Sequence, residues 1–289
     1  MILKTSLFIL CGLAVLALSL GGQESIPPVF LGHIQIVLPS PVYAAIQRSP
    51  FLKNGFSAIT EKTSNVTREG LSSSYKGIYI RGRQTYLELY EDGKVGSAAD
   101  KTLRLTGMMM FGMHIDDRKQ LPSIVKRVAA ETGRSFRIRT TLAAATGQPG
   151  WDAIIGEPFL PYNNILVFAY YPDGITRAEK LEATYLPNRL MREITGVTRT
   201  VTPEERDSLI HHFRAYGYKI DGQGDRQIAT GPEFSFTLVP EKPNESKILI
   251  LDLALNREKT GERKYQFTDD SDLVFEGKTA KWTFRFPAS

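Results

Sequence analysis

A strand–helix–strand pattern occurs twice within the first 174 residues, and this repetition constrains the fold more than any other feature. The first copy runs from residues 32–46 to residues 85–93, and the second runs from residues 110–128 to residues 164–174. Each copy predicts a strand, a helix and then further strands that end in a turn. Because internal repetition marks a repeated structural unit, the sequence predicts two similar modules.

The first strand of the first copy has a clear alternating pattern. Ile34, Ile36 and Leu38 share one face, whereas His33 and Gln35 lie on the other. This period of two is typical of a strand with one face on a core. A short helix is predicted to follow, over residues 40–48.

The closing hairpin of the first copy alternates in the same way. Strands are predicted over residues 75–81 and 84–91, joined by a Gly-containing turn of the kind found in hairpins. Leu87 and Leu89 face one way, and Tyr86, Glu88 and Tyr90 face the other. The candidate functional residues of this module therefore lie on the polar faces of its first and last strands.

The second copy predicts the same order of elements. A strand over residues 105–115 precedes a helix over residues 116–132, and this helix presents apolar residues at helical spacing. Further strands are predicted over residues 135–142, 151–156 and 164–171. Residues 1–174 thus read as a leader followed by two β-α-β-β-β modules.

A third and weaker copy begins near residue 194 and extends to residue 289. It predicts a strand, a helix that starts at Thr202 and Pro203 with acidic residues in its first turn, further strands and a terminal hairpin. No partner module for it is evident in the sequence. The predicted fold class is α+β, with tandem β-α-β-β-β modules that form a cup-shaped mixed sheet and a third, appended module.

The first 22 residues predict a signal peptide. Lys4 supplies a positive charge, residues 7–18 form an uncharged apolar run, and Ser19, Gly21 and Gly22 are small residues suited to cleavage. An uncleaved anchor is the alternative, although the run is shorter than the roughly 20 residues of a membrane span. We therefore expect a periplasmic or secreted protein that is not held at the membrane after cleavage.

Export also limits the chemistry of the mature chain. Its only cysteine, Cys11, lies in the leader, which leaves no disulfide, zinc–thiolate site or cysteine nucleophile. The formal charge of +5 is spread along the chain. Arg134, Arg137 and Arg139 form the densest basic group, with Phe136 as their aromatic neighbour, and this is too little for a nucleic-acid surface.

These residues and their arrangement resemble the glyoxalase-like, or vicinal oxygen chelate, superfamily, and more narrowly an exported bacterial family of glyoxalase-like proteins without an assigned function. The resemblance covers residues 30–174 as paired modules. It implies two modules that curl into a cup around a small molecule. It also implies a divalent metal held by His, Glu or Gln residues from the first and last strand of each module.

The implied metal site is incomplete in this sequence. His33 matches the first-strand ligand and Glu88 the last-strand ligand of module one, as the resemblance implies. In module two, Met110 matches His33, and one of residues 167–169, all apolar, matches Glu88. His114 shares the strand face of Met110 but lies about 13 Å further along, at ~3.3 Å per residue. A catalytic metal usually needs three protein ligands.

Two functions from different classes remain open, and the sequence does not decide whether the protein is an enzyme. The first is a metal-free protein that binds a small organic ligand in the cup. The second is a divalent-metal lyase, isomerase or dioxygenase that uses His33 and Glu88. A filled, purely structural cup is a third reading. For Glu88 itself, an ion pair with Arg81 or Arg83 is the alternative to metal binding. A homodimer is also compatible with the module pairing. The predicted ligand-binding residues are His33, Gln35, Tyr79, Arg81, Tyr86, Glu88 and Tyr90.

Overall fold

The computed structural model describes residues 26–68, 71–93, 106–142, 148–157, 165–171, 175–223 and 225–288. The predicted signal peptide, residues 1–22, lies outside the described residues. Among the residues that are described, no helix is both long enough and apolar enough to cross a membrane.

The first sheet contains the two predicted modules. Each begins with a strand, continues through a helix and returns in three further strands. The helices are α1 (Ser40–Arg48), which is followed by a π-helical turn (Leu52–Phe56), and α2 (Leu121–Thr132), which is preceded by a 3-10 turn (Arg118–Gln120). The strands are β1 (Phe30–Leu38), β2 (Ala58–Arg68), β3 (Leu71–Arg81), β4 (Tyr86–Glu91), β5 (Met109–His114), β6 (Ser135–Leu142), β7 (Pro149–Glu157) and β8 (Ile165–Tyr170).

The two modules meet at their first strands. The strand order is β2-β3-β4-β1-β5-β8-β7-β6, so β1 and β5 lie side by side at the centre. They pair antiparallel, with Ile34 opposite Phe111. Each module pairs its first strand parallel to its last, β1 with β4 and β5 with β8. This arrangement confirms the α+β fold class of tandem modules.

The second sheet is built on the same plan, but only its first half contains a module helix. The connecting helix α3 (Arg177–Glu182) leads to β9 (Met191–Val201), and α4 (Pro203–Ala215) follows. The remaining strands are β10 (Lys219–Gln223), β11 (Arg226–Thr230), β12 (Ser235–Pro240), β13 (Lys247–Leu255), β14 (Lys264–Thr268), β15 (Ser271–Glu276) and β16 (Thr279–Phe286). Their order is β10-β11-β12-β9-β13-β16-β15-β14.

The third module therefore has a partner that the sequence did not reveal. Strands β13 to β16 form a fourth unit, which joins β9 through β13 and completes the second sheet. Loop residues 256–263 replace the helix of the other units, and β13 and β16 consequently run antiparallel rather than parallel. Without a helical period to mark it, this unit had no recognisable copy in the sequence.

A single continuous core joins the two sheets. The apolar faces of the central strands pack with the helices and with the opposite sheet, and Phe111 of β5 meets Phe236 of β12 edge to face at 4.7 Å. Trp282 of β16 is fully buried against Phe56. Large apolar side chains stabilise the fold by about 1.5–3 kcal/mol each when fully buried. The polar face of the first sheet points away from this core.

Candidate functional site

The candidate site lies on the polar face of β1, β3 and β4, which we call the cup face. The register places His33 beside Tyr86 and Gln35 beside Glu88, so the alternating polar residues of both strands come together. Their neighbours Ile34 and Leu87 turn to the core instead. The structure thus brings together all seven residues predicted to bind a ligand: His33, Gln35, Tyr79, Arg81, Tyr86, Glu88 and Tyr90.

Glu88 is the centre of a buried hydrogen-bond cluster. Its Oε2 accepts from Gln35 Nε2 at 2.8 Å and from the Tyr90 hydroxyl at 2.5 Å. Gln35 Nε2 also lies 3.4 Å from His33 Nε2. The ion pairs of the described residues do not include one between Glu88 and Arg81 or Arg83, so the alternative in which Glu88 forms a hairpin ion pair is not what the structure shows.

His33 is held between aromatic rings and a glycine. Its imidazole stacks on Tyr86 with ring centroids 4.8 Å apart and is tilted against Phe168 of β8 at 5.3 Å. Beneath it lies Gly112 of β5, where an added Cβ would come within 2.1 Å of the ring. A side chain at position 112 would displace the imidazole, so His33 and Gly112 form a matched pair across the two modules.

Arg81 supplies the positive charge of the cup face. Its guanidinium carbon lies 5.3 Å from the Tyr79 ring and 4.8 Å from the Tyr86 ring, within the range of cation–π attraction. Leu181 of α3 packs against the same two tyrosines and covers one end of the cup face. The cation is therefore set in an aromatic wall beside His33.

Burial controls the ionisation of the cup face. Desolvation lowers the pKa of His33, and the nearby Glu88 carboxylate opposes this shift only in part. Desolvation also raises the pKa of Tyr86 well above its ordinary value and that of Tyr170 to about 12. At neutral pH the cup face therefore offers a neutral imidazole and neutral phenols beside Arg81 and Glu88.

Module two presents apolar residues where the metal ligands would lie. Met110 pairs with Gln35 across the central strands, so it shares the cup face, as predicted. When Met110 is aligned with His33, Gly112 is aligned with Gln35. Gln35 pairs with Glu88 in module one, and Gly112 pairs with Leu166 in module two. Leu166 is thus the counterpart of Glu88, rather than one of residues 167–169. The counterpart of Glu88 is apolar, as predicted, but its predicted position was wrong by at least one residue.

The residues of the cup face do not fit the four-ligand metal site of the resemblance. His33 and Glu88 are present, but Met110 and Leu166 are poor ligands for a hard or borderline metal. The described part of the chain contains no group of three His, Cys, Asp or Glu residues arranged to hold a metal. Glu88 also directs one carboxylate oxygen to Gln35 and Tyr90.

Phe168, Tyr170 and Leu181 received no site role from the sequence, whereas His114 was already placed on the strand face of Met110. Phe168 and Tyr170 alternate with core residues in β8, a signal that was available but received no role. His114 is completely buried between them, with ring centroids 5.2 and 5.1 Å away, and its Nδ1 lies 3.1 Å from Asp116 Oδ1. Leu181 gave no signal, because only tertiary packing brings α3 over the cup face.

Comparison with known proteins identifies the family. The model of the family of unknown function DUF5829 matches residues 31–284. The chain belongs to this family. No curated protein matches the chain.

Solved structures resemble the chain at the level of the fold. A hypothetical protein from Staphylococcus aureus has 11% sequence identity and a TM-score of 0.51, and the alignment covers 89% of this chain and 98% of that one. A xylose isomerase-like TIM barrel/4-hydroxyphenylpyruvate dioxygenase fusion protein has 11% identity and a TM-score of 0.42, with 75% and 34% covered.

A mutant of 4-hydroxymandelate synthase from Streptomyces coelicolor has 12% identity and a TM-score of 0.42, with 74% and 63% of the two chains covered. The chain thus spans less than two thirds of the lengths of the synthase and the fusion protein. The Staphylococcus aureus protein shares the fold over nearly its whole length, and the two more distant likenesses say nothing about the chemistry of this chain.

Proposed function

We propose that the protein is exported and that its cup face binds a small organic ligand without a resident metal. The proposal combines the glyoxalase-like resemblance with the residues that depart from it. The apolar residues Met110 and Leu166 replace metal ligands, whereas the aromatic and polar residues of module one remain. An apolar, aromatic wall with a few directed polar groups is typical of small-molecule sites.

One observation carries the proposal: polar atoms of the cup face are buried without hydrogen-bond partners. Among the described residues they are Nδ1 of His33, Nε of Arg81 and Nε2 of His114, whereas Nδ1 of His114 faces Asp116. Each unsatisfied buried group costs about 1–3 kcal/mol, and such groups are rare in protein interiors. A purely structural cup filled by its own side chains would carry this cost without compensation, whereas a polar ligand would remove it.

The geometry also indicates which chemistry a ligand would meet. Arg81 offers a guanidinium in an aromatic wall, and neutral His33 offers a nitrogen close to the hydrogen-bonded Glu88. Tyr79, Tyr86 and Leu181 supply apolar surface. The ligand we propose is a small organic molecule with an apolar or planar part and at least one hydrogen-bonding group.

A fragment screen tests ligand binding at this face. We expect ligand-detected NMR to find small organic molecules that bind the mature protein, and binding to be lost in His33→Gln and Arg81→Gln. Arg226→Gln is the matched control, because Arg226 is an exposed arginine on β11 that lies outside the cup face. Hits that bind all four proteins equally, or no hits with folded protein, would refute the proposal.

Metal analysis separates this proposal from the divalent-metal enzyme. Untagged protein is dialysed against Zn²⁺, Mn²⁺, Ni²⁺ or Fe²⁺ and its metal content is measured, together with His33→Ala and Glu88→Ala. We expect the wild type to retain no more metal than the two variants. Stoichiometric metal that disappears in both variants would establish the lyase, isomerase or dioxygenase alternative instead.

Export has its own test. Expression of the full chain in a bacterial host, followed by fractionation and N-terminal sequencing, should yield a mature protein in the periplasm or medium that begins after about residue 22. Full-length protein confined to the cytoplasm would contradict export. The ligand-binding proposal does not depend on this result.

A further inference from the structure

A cleft between the two sheets carries a concentration of arginine side chains that the proposed function does not use. It has a volume of about 370 Å³ and lies where the β3–β4 turn of the first sheet meets the beginning of β9. This volume lies within the range of small-molecule sites. Its lining includes Arg83, Arg177, Arg192, Glu193, Glu233 and Phe234.

The backbone holds two of these arginines next to each other. The Arg83 amide donates to the carbonyl oxygen of Arg192 at 2.7 Å, so the two side chains begin from adjacent positions on opposite walls. Both residues are exposed and both line the cleft. Two guanidinium groups that extend from adjacent backbone positions can approach one anion from both sides.

The two glutamates of the cleft are held by other residues of its lining. Glu233 pairs with Arg177 at 2.7 Å. Glu193 Oε2 accepts from the Gln84 amide at 3.0 Å and from the Thr85 hydroxyl at 3.3 Å. Among the described residues, the ion pairs therefore leave Arg83 and Arg192 without a carboxylate partner.

Arg177 adds a third, buried cation to the wall of the cleft. Its side chain is only 6% exposed and its guanidinium lies 4.2 Å from the centre of the Phe30 ring. Nη1 donates to the Leu31 carbonyl oxygen at 2.8 Å, whereas Nε is buried without a partner. Its contacts with Glu233, Leu31 and Phe30 hold this guanidinium in one position in the wall of the cleft.

We propose that this cleft is a binding site for a small organic molecule with a doubly charged oxyanion group, either a phosphate monoester or a dicarboxylate. Arg83 and Arg192 clamp the anion from the two sheets, and Arg177, which is paired with Glu233, forms part of the buried wall. Leu31, Ile194 and Phe234 provide apolar surface for the organic part. The site is separate from the cup face, and neither proposal depends on the other.

Titration calorimetry with three probes tests the site: inorganic phosphate, phenyl phosphate and succinate. We expect at least one probe to bind the wild type, about tenfold more weakly to Arg83→Gln and to Arg192→Gln, and not measurably to the double variant. Preference for phenyl phosphate or for succinate distinguishes the two anion types. Higher salt should weaken binding, because part of the attraction is exposed to solvent.

Arg226→Gln is the matched control, because Arg226 is an exposed arginine on β11 outside the cleft lining. It should bind the probes as the wild type does, and circular dichroism should show that every variant is folded. Absence of binding to the wild type at about 10 mM probe, beyond the millimolar range of weak binding, would overturn the proposal. An equal loss in Arg226→Gln would also overturn it.

Discussion

The buried polar side chains at the centre of the first sheet are the candidate functional residues, and burying them away from water costs free energy. His33, Gln35 and Glu88 are linked by short contacts, and Tyr90 completes the cluster. Their alternation with apolar residues made this face predictable from the sequence. Their mutual hydrogen bonds were not predictable, because these depend on the parallel register of β1 and β4. The sequence equally allowed Glu88 an ion pair with Arg81 or Arg83.

Removing the Tyr90 hydroxyl should destabilise the fold through Glu88. Tyr90→Phe deletes a donor to a buried carboxylate, and we expect the free energy of unfolding in urea to fall by about 1.5–3 kcal/mol. In a Glu88→Leu background the same change should cost much less, because the acceptor is absent. Equal costs in both backgrounds would show that the hydroxyl does not act through Glu88.

Three buried histidines should make stability sensitive to acid. Desolvation lowers the pKa values of His33, His114 and His212 below their ordinary 6.5, so the unfolded chain takes up protons first. Above pH 6.5 these histidines are neutral in both states and do not reduce stability. Below that pH the free energy of unfolding falls by up to ~1.4 kcal/mol per pH unit for each proton that only the unfolded chain binds. Glu193, whose pKa is raised from 4.5, acts in the opposite direction.

Urea unfolding from about pH 8 to about pH 5 measures this effect. We expect His33→Gln to make the free energy of unfolding depend less steeply on pH, by up to the ~1.4 kcal/mol per pH unit that corresponds to one proton. His211→Gln is the control, because His211 is partly exposed on the same helix as His212. A slope that is unchanged in His33→Gln would contradict burial of a neutral imidazole.

At the level of elements, predictability followed the strength of the local pattern. The helices over residues 40–48 and 203–215 and the alternating strands were close to their predicted bounds. Strands β10 and β14 were missed, because both are edge strands of five residues: Lys219–Gln223 contains no alternation, and the alternation of Lys264–Thr268 is too short to be distinctive. Edge strands commonly carry charged residues on their exposed side, which removes the usual signal.

The contact between β1 and β5 depends on a glycine. In Gly112→Ala the added Cβ would collide with the His33 ring, so we expect a loss of about 1–3 kcal/mol in unfolding free energy. Combining it with His33→Ala should restore much of this loss. Gly55→Ala, whose Cβ would meet nothing closer than 3.7 Å, is the control. A cost that persists in the double variant would place the strain elsewhere.

On the scale of the whole molecule, the β3–β4 turn joins the two sheets. The Thr85 hydroxyl accepts from the Ile194 amide at 2.8 Å and donates to Glu193. The continuous core adds side-chain packing to this contact. Two sheets that share a core and these hydrogen bonds should unfold together. The sequence did not predict that the two sheets share one core, because it left the third module without a partner.

Tryptophan fluorescence can show whether the two sheets unfold in one transition, since Trp151 lies in the first sheet and Trp282 in the second. We expect Trp151→Phe and Trp282→Phe variants to show coincident urea transitions by fluorescence and circular dichroism. Thr85→Val should lower stability by about 1–3 kcal/mol, and the exposed Thr195→Val by less than about 0.5 kcal/mol. Separate transitions for the two probes would contradict a single cooperative unit.

The claim that the cup face binds an organic ligand rather than a metal is tested most directly at His33 itself. Long-range proton–nitrogen NMR resolves the imidazole nitrogens of the four histidines, and His33→Gln assigns the His33 signals. We predict that a ligand from the fragment screen shifts the His33 nitrogens, whereas Zn²⁺ and Mn²⁺ leave them unchanged. Signals that respond to a metal, lose that response in Glu88→Ala and ignore every organic ligand would contradict the claim.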